Sequence, residues 1–315
     1  MKSTMRKLMK PALLRALLLA AVSISCLTAA AAEFVVDGIT YSDLGTNAVA
    51  VTGFSGSVKE AVIPETVKYK GRNYDVIAVG SSYSSKKMPS IELSTLSLPA
   101  SIVEINYYRF NDTDSYYDNS IHKDVVPFSK LKAVNVSADN PVYSSQDGVL
   151  YNKSKTKLLS MPKASGLTNF DIPQSVTSIG NEAFQGCSIL ESVSIPASVT
   201  SISHDAFNGC TALESVSFPA SVTSIGYWAF NDCTSLVSIT IPSSVTEIGG
   251  SAFGGLCRIA TVTCEASEPA VLESGQPFSE MTLMYGTLYV PKGSKQKYRN
   301  AEGWSDFDNI KEIGE

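Results

Sequence analysis

Three cysteines of the sequence, Cys187, Cys210 and Cys233, are separated by a constant 23 residues. Cysteines at regular spacing could bind zinc or pair as disulfides, and both need side chains that converge on one point. A fixed period instead places one cysteine on each turn of a repeat, with the side chains parallel. We therefore interpret them as small buried hydrophobic residues and predict free thiols.

The other residues with catalytic or ligating chemistry are few and scattered. Cys257 and Cys264 lie outside the 23-residue series, and a disulfide between them is the alternative to two free thiols in an exported protein. The two histidines, His122 and His204, belong to no cluster with metal-ligand spacing, and the sequence has no nucleophile elbow or glycine-rich phosphate loop. The sequence thus predicts no catalytic residue, no metal site and no cofactor.

One insertion combines acidic and aromatic residues and has three interpretations. Asp112, Asp114 and Asp118 could offer oxygens to calcium, but the glycine and the bidentate glutamate of an EF-hand loop are missing. A solvated loop is the preferred interpretation. The third is a contact loop for a partner, because tyrosine among Asp, Asn and Ser is typical of antibody-like binding surfaces. The aromatic residues concerned are Tyr107, Tyr108, Phe110, Tyr116 and Tyr117.

The cysteine series belongs to a repeat that occurs four times in succession without insertion. Four columns of identical residues share its period of 23. They are Pro173, Pro196, Pro219 and Pro242; Val176, Val199, Val222 and Val245; Ile179, Ile202, Ile225 and Ile248; and Phe184, Phe207, Phe230 and Phe253. A repeat this short buries its apolar side chains only by stacking on its neighbours, so the pattern predicts a solenoid.

Each repeat is predicted to contain two strands and one helical turn. Apolar residues alternate with serine from Leu190 to Ile195, which indicates a strand that Pro196 ends. A shorter strand is expected at 199–202 and a helical turn at 181–187. Eight positions should face inward, at residues 176, 179, 183, 184, 187, 190, 193 and 195.

Diverged copies and caps are predicted on both sides of these repeats. The strand pattern recurs at 93–99, 131–136, 167–173, 259–264 and 285–291. Hairpins with turns at 45–47 and 70–73 precede the copies, and a helix at 294–301 and a strand at 310–313 follow them. The predicted domains are an N-terminal cap with a first diverged repeat at 33–90, the solenoid at 91–264 and a C-terminal cap at 265–315.

The N-terminus is predicted to be a secretory signal peptide over residues 1–32. Basic residues without any acidic one precede an apolar run at 16–27 and the four alanines at 29–32. A lipoprotein modified at Cys26 is the alternative, and no other segment is long and apolar enough to span a membrane. The remaining chain has 20 basic and 30 acidic residues, because all five charges removed are basic. This charge disfavours nucleic acid and anionic membranes as partners.

The repeat resembles the leucine-rich repeat of the BspA-like class, with its pattern Ile-Pro-x-Ser-Val-Thr-x-Ile-Gly-x-x-Ala-Phe-x-x-Cys-x-x-Leu best matched at 172–264. The segment 140–152 also resembles a hairpin that is often inserted in this family. The resemblance implies a right-handed α/β solenoid with a parallel sheet, in secreted or surface proteins of host-associated bacteria. It implies adhesion or binding to host matrix and plasma proteins, and it offers no catalytic residue to transfer.

The letters that change between repeats are the candidates for specific function. The two residues that directly precede each Ala-Phe pair vary, and they should form an outward row along the solenoid. In this row, Tyr227, Trp228 and His204 should make an exposed aromatic patch. For Trp228 itself, the preferred interpretation is that its ring lies flat over the seam between repeats. On the polar strand face, Glu191 and Glu214 should be neighbours with a small like-charge repulsion.

The sequence therefore predicts an exported, non-catalytic repeat protein on the cell surface or outside the cell, which binds another protein or a glycan, including one derived from a host. A structural scaffold of the cell envelope without a dedicated ligand is the alternative, and a carbohydrate-processing accessory protein is a more remote one. The sequence specifies neither the ligand nor the oligomeric state. The predicted partner-binding residues are Tyr107, Tyr108, Phe110, Tyr116, Tyr117, Tyr227, Trp228, His204, Glu191 and Glu214.

Overall fold

The structure is a computed structural model that describes residues 32–45, 47–55, 57–80, 92–105, 116–118, 123–125, 128–255, 257–273 and 275–315. The residues of the predicted signal peptide up to 31, Cys26 among them, lie outside this range. The described residues form two compact units that meet in the sequence between Ser154 and Lys155. Strands are numbered in chain order from β1 to β26, and two α-helices are labelled α1 and α2.

The first unit begins with an antiparallel meander. It consists of β1 (Glu33–Val36), β2 (Ile39–Asp43) and β3 (Ala48–Phe54), paired in this order. The sequence predicted one hairpin here, but the segment 34–41 itself folds back at Asp37 and Gly38, whose φ angles are 50° and 76°. These left-handed conformations suit a two-residue turn, which adds one strand to the prediction.

A second hairpin in the first unit lies where a turn at 70–73 was predicted, but its turn contains only Lys70 and Gly71. It joins β5 (Thr66–Tyr69) to β6 (Arg72–Val79), with Tyr69 opposite Arg72. The turn residues Lys70 and Gly71 have φ angles of 47° and 79°, as a type I′ turn requires. The strand β6 also pairs in parallel with β3 and with β8 (Glu104–Ile105).

The rest of the first unit contains the first parallel strands of the repeat. β4 (Glu60–Val62), β7 (Thr95–Leu98) and β11 (Ala133–Val136) form a three-stranded parallel sheet, which confirms strands at two diverged copies. β9 (Tyr116–Asp118) pairs with β10 (Lys123–Val125). The predicted inserted hairpin is present as β12 (Tyr143–Gln146) and β13 (Val149–Asn152).

The second unit is a solenoid with two parallel ladders. The strand ladder runs through β15 (Asn169–Asp171), β17 (Ser192–Ser194), β19 (Ser215–Ser217), β21 (Ser238–Ile241), β23 (Thr261–Cys264), β25 (Thr287–Val290) and β26 (Asn309–Glu312). The short-strand ladder runs through β18 (Ser201–Ile202), β20 (Ser224–Ile225), β22 (Glu247–Gly249) and β24 (Val271–Glu273). Beside it, β14 (Lys157–Ser160) pairs with β16 (Ser178–Ile179). The prediction of a parallel-sheet solenoid is confirmed, whereas its right-handed sense stays a prediction.

The turn segment of each repeat differs from the prediction, because no residue from 181 to 187 is helical. Glu182 has a φ angle of +57°, which no right-handed helix accommodates. Its N–H donates to the carbonyl of His204 at 3.1 Å, and the N–H of Phe184 donates to Ala206 at 2.8 Å. These bonds join each turn to the next, so hydrogen bonds between turns replace those of a helix.

The core of the solenoid consists of columns of identical side chains. All eight inward positions predicted for the repeat are buried, which confirms that assignment. The Phe207 ring stacks on Phe184 at 4.7 Å and on Phe230 at 5.0 Å between ring centroids. Because every turn supplies the same ring at the equivalent position, each ring buries the apolar faces of its neighbours.

The C-terminal segment continues the core with different residues. α1 (Glu280–Tyr285), which the sequence analysis missed, begins at Ser279, whose side chain accepts from the N–H of Thr282. α2 (Lys295–Asn300) and β26 confirm the predicted helix and final strand. Between them a 3-10 helix (Trp304–Asp306) buries Trp304, whose indole N–H donates to the Ala270 carbonyl at 2.8 Å.

Candidate functional site

The cysteines predicted to be structural are buried along one column of the solenoid. Each thiol donates to a backbone carbonyl of the preceding turn, as from Cys210 Sγ to Phe184 O at 3.1 Å and from Cys233 Sγ to Phe207 O at 3.2 Å. Burial raises the pKa of the Cys187 thiol to about 12 and those of Cys210 and Cys233 well above the usual value. A thiol held in its neutral form is a poor nucleophile and a poor metal ligand.

Cys257 was placed outside this column, and that assignment is wrong. Its Sγ donates to Phe230 O at 3.3 Å, in the same way as the others, and one additional residue in its turn displaces it from the 23-residue series. Cys264 lies in β23 opposite Ile241, and both thiols are free and buried. Within the described ranges no group of three or more His, Cys, Asp or Glu side chains is arranged to hold a metal ion.

The aromatic row, which we define as His204, Tyr227 and Trp228, is assembled on the turn segments. The rings of His204 and Tyr227 are stacked with centroids 5.1 Å apart and planes at 29°. The Tyr227 N–H donates to His204 Nδ1 at 3.0 Å, so the proton of the neutral imidazole lies on Nε2. The backbone thus fixes both the position and the tautomer of His204.

The orientation of Trp228 follows from the backbone of its turn. Its φ angle is +53°, and the equivalent residues Glu182, Asp205 and Ser251 have φ angles between 54° and 57°. A non-glycine residue in this region is strained by about 1 kcal/mol, which the bond from the Trp228 N–H to Gly250 O helps to offset. Trp228 is 51% exposed, which fits both a ring resting on a seam and a ring that contacts a partner.

Carboxylates surround the aromatic row. The Tyr227 hydroxyl donates to Glu273 Oε2 at 3.3 Å. Asp205, beside His204, accepts from Asn208 Nδ2 at 2.8 Å, and its partial burial raises its carboxyl pKa. The sequence analysis missed Glu273 because the segment that contains it departs from the 23-residue period. Alignment by hydrogen-bonded turn rather than by residue count could have identified it.

The other predicted partner-binding residues lie elsewhere. Glu191 and Glu214 are exposed and lie just before adjacent strands. The Glu214 N–H donates to Glu191 O at 3.0 Å, which confirms that the two residues are neighbours. Tyr116 and Tyr117 belong to β9, opposite Val125 and Asp124. Tyr107, Tyr108 and Phe110, together with Asp112 and Asp114 of the calcium alternative, lie outside the described residues.

Comparison with known proteins identifies the repeat. Residues 160–273 match the BspA type leucine-rich repeat region in six copies, which confirms the resemblance for this stretch. No curated protein matches the chain significantly. Within the described residues, no helix is long and apolar enough to cross a membrane.

Three solved structures of bacterial proteins align with this chain. The pneumococcal vaccine antigen PcpA aligns with a TM-score of 0.52 and 16% identity over 91% of this chain and 100% of that chain. A leucine-rich repeat protein from Bacteroides ovatus aligns with a TM-score of 0.45 and 23% identity over 89% and 76% of the respective chains. A leucine-rich cell surface protein from Faecalibacterium prausnitzii has a TM-score of 0.40 and 17% identity over 92% and 97%. The first similarity shows a shared fold.

Proposed function

We propose, from the premise that residues 160–273 are a BspA-type leucine-rich repeat region, that this chain is an exported, non-catalytic protein that binds another protein through the aromatic row. The basic and apolar N-terminal sequence supports export, and PcpA, a protein of the same fold, is a pneumococcal vaccine antigen. Its location is then the cell surface or the medium, where a host-derived partner is accessible.

The observation that carries the proposal is an ordered aromatic cluster on a surface that the core does not require. Trp228 is 51% exposed, and Tyr227 and His204 are held in a stack by a backbone hydrogen bond. Tyrosine and tryptophan are the residues most enriched among binding hot spots. A rigid cluster also loses little conformational entropy when it binds, so more of its contact energy appears as affinity.

Binding of the mature chain to host serum proteins, matrix proteins and a glycan array tests this function. We expect a saturable protein ligand, and we expect the double variant Tyr227→Ser with Trp228→Ser to weaken it by about tenfold or more. The melting temperature of this variant should stay close to that of the parent, because none of the repeated core positions is changed.

A matched variant with Tyr107, Tyr108, Tyr116 and Tyr117 replaced by Ser tests the contact-loop interpretation of the insertion. If the ligand binds both variants as tightly as the parent, the aromatic row is not the site, and Glu191→Lys with Glu214→Lys becomes the next test. A collapse of melting in the Tyr227/Trp228 variant would show instead that Trp228 seals a seam. If no saturable ligand is found, the envelope scaffold gains support.

A further inference from the structure

The short-strand ladder of the second unit ends two strands before the strand ladder does. β24 is its last strand, whereas the strand ladder continues from β23 to β25 and β26. Where the next short strand would lie, the chain forms α2 and the 3-10 helix. These elements leave a groove of about 770 Å³ along β24, whose lining includes Val271, Leu272, Gln276 and Lys297.

One residue of β24, Leu272, directs its backbone N–H and C=O towards this groove. β24 pairs in parallel with β22, with Leu272 opposite Ile248, and the Val271 N–H donates to Thr246 O at 2.8 Å. Alternate residues of a strand bond to opposite sides, so Val271 and Glu273 bond towards β22 and Leu272 faces the groove. Trp304 Nε1 binds the outward carbonyl of Ala270, but in the described part of the chain no group binds the N–H or C=O of Leu272.

We propose that this groove binds an extended peptide segment of a partner protein, which adds to β24 as the next parallel strand. None of the three residues of the aromatic row lines the groove, although the Tyr227 hydroxyl donates to Glu273 Oε2 of β24. Every strand of the ladder pairs in parallel with its neighbour, and the added segment keeps that direction. Strand addition of this kind obtains affinity from main-chain hydrogen bonds and specificity from alternate side chains.

The side chains of β24 define which segment fits. Val271 is 63% exposed and Glu273 is exposed, while Leu272 between them is half-buried. Cross-strand neighbours on one face lie about 5 Å apart. The segment therefore carries an apolar residue beside Val271 and a lysine or arginine beside Glu273, two positions later.

The charge of the groove favours the same basic segment. Its lining contains the carboxylates of Glu268, Glu302 and Asp306 and one cation, Lys297, which pairs with Glu268. Asp306 accepts from Gln276 Nε2 at 2.9 Å. An acidic segment would add repulsion from Glu273, Glu302 and Asp306, whereas a basic one neutralises them.

A labelled peptide of sequence Ser-Thr-Val-Thr-Lys-Thr-Ser, with blocked termini, tests the proposal by fluorescence anisotropy with the full protein. We expect saturable binding, and a loss of about tenfold or more when the lysine is replaced by glutamate. The Glu273→Lys variant should reverse this preference and bind the glutamate peptide better. Equal binding of both peptides by the parent protein would overturn the proposal.

Methylation of single peptide amides tests the backbone contact. In parallel pairing the lysine N–H donates to Leu272 O, whereas the N–H of the preceding threonine points away from β24. N-methylation of the lysine should therefore weaken binding by about fivefold or more, and N-methylation of that threonine should leave it unchanged. If the two methylated peptides bind alike, or if the unmodified peptide does not bind, strand addition at β24 is wrong.

The Trp228→Ser variant separates this site from the proposed function. It should bind the peptide as the parent protein does, because Trp228 does not line the groove. A loss of peptide binding in this variant would place the peptide on the aromatic row and overturn the groove as its site. Failure of the peptide experiment leaves the test of the aromatic row against serum and matrix proteins unaffected.

Discussion

The regular repeats at 172–264 and the C-terminal segment at 265–315 build one continuous aromatic column by different means. In the repeats, Phe230 and Phe253 stack with planes 7° apart. Beyond Phe278, the rings of Trp304 and Phe307 meet it at 58° and 68°. A stack that continues requires the same ring in the same orientation, whereas a stack that ends requires tilted rings that cover its last member.

The thiol column changes in the same way. Cys187, Cys210, Cys233 and Cys257 each donate to a carbonyl of an earlier turn, but the next donor is the hydroxyl of Ser279, which binds Cys257 O. Ser279 at the same time caps α1. Within the repeats, the same residue type recurs at each turn of the column. At the end of the column, a residue that caps a helix takes its place.

The largest expected effect on the repeats comes from alkaline pH. Burial raises the pKa of Cys257 to about 11 and that of Cys264 to about 12, whereas an unfolded thiol titrates near 8.5. Above that value the unfolded chain loses protons that the folded chain keeps, so the free energy of unfolding falls as pH rises. Each of the five buried thiols should remove about 1.4 kcal/mol per pH unit between about pH 9 and 11.

Urea unfolding at pH 7, 9 and 10 measures this slope. The control is the variant with Cys210→Ala and Cys233→Ala, whose slope should be smaller by two protons. Thiol titration of the unfolded, unreduced protein should find these cysteines free. Equal stability at pH 7 and pH 10 would contradict burial of the thiols as the cause.

The phenylalanine column should show the next largest effect. Phe207 is fully buried between two stacked rings, so Phe207→Ala leaves a cavity in the middle of the column. We expect the free energy of unfolding to fall by about 3–5 kcal/mol in urea titration. Ser217→Ala, at an exposed position of the following strand, is the matched control and should have little effect. Coincident curves for Phe207→Ala and the parent would show that the column contributes no stability.

Trp304→Phe should have a smaller effect, because it changes the end of the column without opening its middle. The phenyl ring keeps most of the packing but loses the indole N–H that binds Ala270 O. We expect a loss of about 1–2 kcal/mol, with faster amide hydrogen exchange confined to 265–315. Tyr285→Ala serves as the control, since Tyr285 is 68% exposed. If exchange accelerates equally throughout 172–264, the distinction between repeat and cap is wrong.

Sequence reasoning identified the columns because identical neighbours above and below demand identical residues, as at Val176, Ile179 and Phe184. It also identified the turn at Lys70-Gly71, where two adjacent left-handed residues have a known signature. The prediction of a helical turn at 181–187 was wrong, because two backbone conformations give the same spacing of buried residues. One is a helical turn, and the other is a left-handed residue followed by hydrogen bonds to the next turn. The positions of Cys257 and Glu273 were not predicted, because insertions change the number of residues in a turn while the turns themselves stay aligned.

The smallest expected effect lies on the outward face of the same repeats, where identity between turns is not needed. Glu191 and Glu214 are exposed neighbours, with the Glu214 N–H bonded to Glu191 O at 3.0 Å, so their like charges repel along the ladder. Glu214→Lys should raise the free energy of unfolding by about 0.3 kcal/mol at low salt, and the gain should vanish in about 1 M salt. Glu214→Gln removes the repulsion without adding an attraction and should give a smaller gain, while Glu191→Lys with Glu214→Lys should return to the parent value. A gain in the free energy of unfolding that persists in high salt would have to come from strand propensity rather than from charge. The choice of residue on the outward face would then be constrained by the strand, as it is in the interior.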